Sequence, residues 1–261
     1  MKMMKILPFL ILSLFLAEAY ALTAEEKGLE IAKEADRRDT GWGDYTATMT
    51  MVLYNRHGEK SERFMRTKSL EGTADGDKTT LVFDKPKDVK GTALLTFTHK
   101  TGPDDQWLFL PALKRVKRIA SRNKSGPFVG SEFAYEDLTS QEVEKYTYKF
   151  LRDEPYGGMD CYVVERDPVD EFSGYTFQHV WGDKEEYRPH KIDFYDRKGT
   201  LLKTLTFEGY KQYLGQYWRA DKLLMVNHQS GKKTELLWRD YKFGNGLKDS
   251  DFTKNSLKRL R

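Results

Sequence analysis

Cysteine is nearly absent: Cys161 is the only one in 261 residues. No intramolecular disulfide can form, so the fold must rest on a hydrophobic core. Cys161 opens the apolar run Cys161-Tyr162-Val163-Val164, where a thiolate is disfavoured and a small buried hydrophobe is the expected role. Histidine is scarce too. His57, His99, His179, His190 and His228 are scattered among turns and strand ends. None makes an HxH, HExxH or Cys/His spacing, which argues against a metal centre. There is no GxSxG elbow, and the adjacent carboxylates Asp104-Asp105 and Glu185-Glu186 are expected in solvated turns. No residue is assigned a catalytic role, no cofactor is called for, and the chain reads as a non-enzyme. Excess charge is small as well: a net +4 is far from the balance of a nucleic-acid binder. No Gly/Pro-rich linker, internal repeat or low-complexity tract divides the chain.

Long apolar runs are confined to the first residues. Lys2 and Lys5 give a basic start, Ile6 to Leu16 an apolar stretch broken by Pro8 and Ser13, and Ala19-Tyr20-Ala21 a small-x-small cleavage signature. This is the pattern of a secretory leader over residues 1–21, with Leu22 as the mature N-terminus. The stretch falls short of the ~20 residues that a membrane span needs. With no cysteine at the cleavage site there is no thiol to acylate, so the exported product is expected to be soluble and not lipid-anchored. Loss of Lys2, Lys5 and Glu18 leaves a net +3. Residues 22–261 are read as a single domain.

What is plentiful is aromatic residues and period-two alternation, the mark of sheet. First comes one helix, Thr23–Arg38, with Thr23 and Glu26 spaced as a capping box and a thin apolar stripe of Leu29, Ala32 and Ala35. Then Tyr45–Tyr54 alternates, followed by strand-like runs at 62–70, 79–84, 93–99, 106–110, 115–120, 146–151, 161–166, 175–181, 190–195, 201–208, 213–219, 222–229 and 234–241. Turn pairs such as Asp75-Gly76, Gly157-Gly158 and Ser230-Gly231 separate them. The fold class is mainly β: an antiparallel meander forming a barrel or a strongly curved sheet. A short C-terminal turn capped by Asp249 or Ser250 is expected to carry Phe252 and Leu257. Such a sheet leaves either a solid core or a cavity. The pairs Leu81/Phe83, Leu95/Phe97, Trp107/Phe109 and Phe177/Trp181 are the candidates for its inner face, and composition alone does not choose between the two.

The stretch Asp105–Leu138 stands apart. It carries the basic run Lys114, Arg115, Lys117, Arg118, Arg122 and Lys124 between two aromatic segments. A solvated strand face accounts for the charges; so does a cationic rim, centred on Arg115 and Arg118, that docks on anionic headgroups or an acidic partner. The leader removes a nuclear role.

This stretch also resembles the outer-membrane lipoprotein-sorting proteins of the LolA-like superfamily. The residues that carry the likeness are Gln106-Trp107-Leu108-Phe109-Leu110-Pro111-Ala112-Leu113-Lys114-Arg115-Val116-Lys117-Arg118-Ile119, then Phe128-Val129-Gly130-Ser131-Glu132-Phe133 and Tyr135-Glu136-Asp137-Leu138. The resemblance implies a half-closed antiparallel barrel around an apolar cavity, with the N-terminal helix and short helices across its mouth. It also implies a periplasmic carrier of lipid or acylated lipoprotein. An inner-membrane transporter of the resistance-nodulation-division type and an outer-membrane acceptor would be its partners.

Physics makes such a carrier reasonable. An acyl chain costs on the order of 10 kcal/mol to expose at ~0.8 kcal/mol per methylene, so a cavity that hides it removes most of the barrier to crossing water. On that reading the helix is a movable lid and Gly126–Tyr135 a gate. The alternative on the same fold is an interaction module that senses lipid or lipoprotein without shuttling it.

Overall fold

In the computed structural model the described residues are 22–258; the expected leader lies outside them. Helix α1, Ala24–Asp39, is capped as its sequence predicts. The Glu26 N–H donates to Thr23 Oγ1 at 3.1 Å, and the Thr23 N–H donates to Glu26 Oε2 at 2.8 Å. Two meanders follow. The first runs through β1 (Asp44–Tyr54), β2 (Lys60–Leu70), β3 (Lys78–Lys85), β4 (Ala93–Phe97), β5 (Asp105–Leu110) and β6 (Arg115–Ile119). The second runs through β7 (Tyr146–Asp153), β8 (Cys161–Pro168), β9 (Tyr175–Asp183), β10 (Pro189–Asp196), β11 (Leu201–Tyr213), β12 (Tyr217–Asn227) and β13 (Lys233–Phe243).

Pairing of β1 with β13 joins the two into one antiparallel sheet of thirteen strands, in the order β6-β5-β4-β3-β2-β1-β13-β12-β11-β10-β9-β8-β7. The sheet is not closed: β6 and β7 are its edges. It is nevertheless strongly curved. Strands β5 and β9 stand nine places apart, ~43 Å across a flat sheet at ~4.8 Å per strand. Yet Gln106 on β5 donates to the Tyr135 carbonyl at 2.9 Å, while the Tyr175 hydroxyl on β9 donates to Asp137 Oδ1 at 2.7 Å.

The concave face holds the main core, with Met49, Met51, Met65, Phe83, Ile192, Phe194, Met225 and Leu236 from both meanders. The connection between β6 and β7 fills it, inserting Phe128 and Phe133, 0% and 2% exposed. The convex face of the first meander has a smaller core of Val82, Ala93, Leu95, Trp107 and Phe109, closed by Phe252 and Leu257 of the C-terminal segment. The carboxylate of Asp44 steers that segment by accepting from the N–H groups of Asn245, Gly246 and Leu247 at 2.7, 2.9 and 3.1 Å. The short C-terminal helix α2, Lys254–Leu257, is capped by Thr253 rather than by Asp249 or Ser250.

One further expectation is corrected. The runs 213–219 and 222–229 are not separate strands: β11 continues to Tyr213, and Tyr217–Asn227 is one strand, β12. The turn between them places Leu214 and Gly215 at φ 51° and 70°, with the Gln216 N–H donating to the Tyr213 carbonyl at 3.0 Å. Two consecutive positive φ angles at the central positions are the geometry of a type I′ turn, here within a three-residue loop. Leucine is a poor residue for the first of them, so the sequence conceals the turn.

Candidate functional site

Beside the filled part of the concave face an open cavity of about 1050 Å³ lies between α1 and strands β8–β13. Ile31, Ala32 and Ala35 of α1 form its roof, and Val164, Val180, Ile192, Phe207, Leu223 and Trp238 its apolar floor. The roof sits close because of Gly28. A Cβ built there would meet the Lys149 and Phe150 backbone nitrogens of β7 at 2.8 Å, so only glycine lets the helix lie directly on the edge strand. Lys27 stands over the Phe150 ring at 3.3 Å, and Arg38 donates to the Glu185 carbonyl at 2.7 Å, fixing the two ends of the helix.

One end of the cavity is polar. Asp36, Asp39, Glu71, Asp75, Asp77 and Glu142 line it together with Lys100 and Arg219. Burial, reinforced by the charges of Asp77 and Asp36, pushes the Glu142 carboxyl up to about 7. Burial also raises Asp77 and Asp39, the latter against the pull of Arg219, which it meets at 2.5 Å. The indole N–H of Trp218, on the same wall, is buried with no hydrogen-bond partner among the described residues.

The eight apolar candidates are not brought together. Leu81 and Phe83 sit in the concave core, with the Phe83 ring 5.7 Å from Phe128. Leu95, Trp107 and Phe109 lie in the convex core, with Phe97 packed beside them. Phe177 stacks on Tyr195 at 4.3 Å, next to His179, and Trp181 lies under the Lys191 ammonium at 3.7 Å. None of the eight lines the cavity. Alternation reports that a residue faces inward or outward, and here both faces are covered along much of the sheet. Of the residues that do line it, Ala32 and Ala35 were signalled by the helical stripe. Ile31 and the aromatics of β12 and β13 carried no distinguishing pattern.

Arg115 and Arg118 belong to the edge strand β6, where Arg118 binds Asp105 at 2.6 Å. Charged residues on an unpaired edge also oppose strand addition by another chain. The Gly126–Tyr135 stretch, expected as a gate, is core filling. It is pinned by Asp137, whose carboxylate accepts from the Ala134 N–H at 2.6 Å and pairs with Lys203 at 2.6 Å, both side chains 4% exposed. Glu136 accepts from Gly174 N–H at 2.9 Å and the Ser173 hydroxyl at 2.8 Å. The Tyr-Glu-Asp signature therefore clamps the connection to the second meander.

Comparison with known proteins agrees with this architecture. An outer-membrane lipoprotein-sorting domain from Vibrio parahaemolyticus is 62% identical, with 90% of this chain and 100% of that one aligned and a TM-score of 0.89. The chain belongs to this outer-membrane lipoprotein-sorting family. A DUF1329 family protein from Desulfovibrio piger is 29% identical over the same shares, with a TM-score of 0.84. A LolA superfamily protein from Nitrosomonas europaea, 24% identical over the same shares with a TM-score of 0.70, shares the fold. The profile of a family of uncharacterised proteins matches residues 75–259. No curated protein matches the chain. Among the described residues no helix is long and apolar enough to cross a membrane, and no group of three or more His, Cys, Asp or Glu side chains could hold a metal ion.

Proposed function

We propose that this protein is a periplasmic carrier that takes lipid, or the acyl chains of lipoproteins, into the cavity beneath α1. It moves them between the inner and outer membranes. The observation that carries this reading is the cavity of about 1050 Å³ with an apolar roof and floor, a volume at the upper end of small-ligand sites and well suited to acyl chains. The ligand residues are then Ile31, Ala35, Val164, Ile192, Phe207 and Leu223, with the chemistry limited to binding. Release has no ATP to drive it in the periplasm. It depends on a transporter that delivers the cargo and on an acceptor that holds the chains more tightly, and the cationic edge around Arg115 is a surface for docking either one. Family membership supports the lipid class, since the Vibrio relative is described as a lipoprotein-sorting domain.

The test is organic extraction of the purified protein followed by mass spectrometry, together with transfer of a fluorescent fatty acid between two vesicle populations. Co-purifying lipid and accelerated transfer are expected. Protein that carries no lipid and takes up no fatty acid refutes the carrier.

A further inference from the structure

Acyl-chain binding leaves the polar end of the cavity unexplained. Six carboxylates line it: Asp36 and Asp39 on α1, Glu71, Asp75 and Asp77 along the β2–β3 connection, and Glu142 just before β7. Facing them are Lys100 and Arg219, and Arg219 is engaged by Asp39. The other cations on the wall have partners elsewhere: Arg37 and Arg38 share Glu34, Arg188 bonds Asp183, and Arg166 bonds Gln178.

Three of the carboxylates have local structural work, among them Asp75, which pairs with His99 Nδ1 at 2.6 Å and accepts from the Lys100 N–H at 2.8 Å. Glu71 accepts from the N–H groups of Gly41 and Gly43 at 2.5 and 2.6 Å. Asp77 accepts from Gly72 N–H at 3.0 Å and the Ser140 hydroxyl at 2.7 Å. Glu142 has none. Its residue is 9% exposed and its side chain lines the cavity, yet no hydrogen bond or ion pair reaches that carboxyl among the described residues. A carboxylate set this deep in a wall is unfavourable unless its oxygens keep solvent or gain a donor, and those of Glu142 open onto the cavity. Burial and the neighbouring charges of Asp77, Asp36 and Glu144 raise its pKa, and only Lys100 opposes them. The aromatic rings of Trp42, Tyr148, Trp218 and Tyr241 lie on the same walls. Ring faces and carboxylates attract the same ligand, a cation.

We propose that this end of the cavity is a subsite for a primary ammonium group borne on an amphiphile, with Glu142 and Asp77 as its anionic anchors. Bound there, the ammonium gives Glu142 the donor it lacks and places the attached chain along the apolar floor. The ligand class is an amine-bearing lipid, in preference to an anionic one. The inference rests on the reading of the cavity as an acyl-chain site.

Isothermal titration of the purified protein with dodecylammonium, dodecyltrimethylammonium and laurate, at about pH 8 where Glu142 is ionised, tests it. The three share a chain and differ in the headgroup. Dodecylammonium is expected to bind at least about tenfold more tightly than laurate, with the trimethyl compound weaker than the primary amine because it cannot donate hydrogen bonds. The preference should fall below about threefold in Glu142→Gln and in Asp77→Asn, with near-UV circular dichroism confirming that each variant is folded. Laurate binding as tightly as dodecylammonium overturns the subsite and leaves the carrier standing. A preference that survives both substitutions, or a trimethyl compound as tight as the primary amine, also overturns it. Failure of all three to bind removes the carrier reading and the subsite with it.

Discussion

Replacing Lys203 by methionine is the sharpest probe of how the signature segment holds the fold. The Lys203 ammonium lies 2.6 Å from Asp137 Oδ2 and 3.0 Å from the Glu132 carbonyl, between the rings of Tyr175 and Phe194 at 5.1 and 5.3 Å. Both members of the pair are 4% exposed, so solvent cannot replace a lost partner. Removing one side of a buried pair strands the other charge, at about 3–5 kcal/mol. At ~2–4 °C per kcal/mol for a domain of this size, the melting temperature should fall by roughly 6–20 °C. Thermal and urea unfolding followed by tryptophan fluorescence measure the loss. Hydrogen exchange locates it, with protection falling first around Phe128–Leu138. The double variant Lys203→Met/Asp137→Asn should recover part of the stability, because the amide removes the stranded charge while its oxygen still accepts from the Ala134 N–H and its NH2 can donate to the Tyr175 hydroxyl. A single-variant loss below about 1 kcal/mol, the scale of a surface pair, refutes the reasoning. So does a double variant no better than the single.

Two further outcomes follow from the cavity walls. Gly28→Ala places a methyl 2.8 Å from the β7 backbone. Although alanine favours a helix by about 1 kcal/mol over glycine, the clash should dominate, costing roughly 1–3 kcal/mol as overpacking and loosening α1 to limited proteolysis; a stabilised, protease-resistant variant would show that the helix does not lie so close. Glu142→Gln should change how stability depends on pH. The Glu142 carboxyl titrates at about 7 in the folded protein against an ordinary 4.5, so between those values the native state holds a proton that the unfolded chain has lost. Stability therefore falls as pH rises through that window. The glutamine variant lacks this loss, and should be more stable than the parent at about pH 8 and equal to it at about pH 4. A difference in urea midpoint that does not vary with pH sinks this account.

Much of the architecture was legible because it rests on local rules. Thr23 and Glu26 marked the start of α1, and alternation in the run from Tyr45 marked the central strand, where Ala47, Met49 and Met51 are buried. Cys161 is fully buried, and burial raises its thiol. What escaped was non-local. Leu214 occupies a turn that glycine or asparagine would have announced. Thr253, the cap of α2, competes in sequence with Asp249 and Ser250, and only the placement of Phe252 and Leu257 in the convex core decides among them.

The cavity itself was the least legible part, and the reason is geometric. In β3 the alternation sends Leu81 and Phe83 to the concave face and Val82 to the convex one, and both faces are dry. Apolar character there says only that a residue is covered, by a connection on one side and by the C-terminal segment on the other. Strands β8–β13 differ because α1 covers their concave face without filling it, so Ile192 and Leu223 border the cavity as well as the core, whereas Leu81 is packed in the core alone. Which stretch of the curved sheet is filled is set by where the β6–β7 connection places its side chains, with Phe128 and Phe133 in the core and residues 139–143 bordering the cavity. Asp137 and Glu136 fix the chain between those two parts by anchoring to Lys203, Ser173 and Gly174. The Tyr135–Leu138 segment thus shapes the cavity at one remove: the chain before it fills one part of the concavity, and the rest stays open under α1.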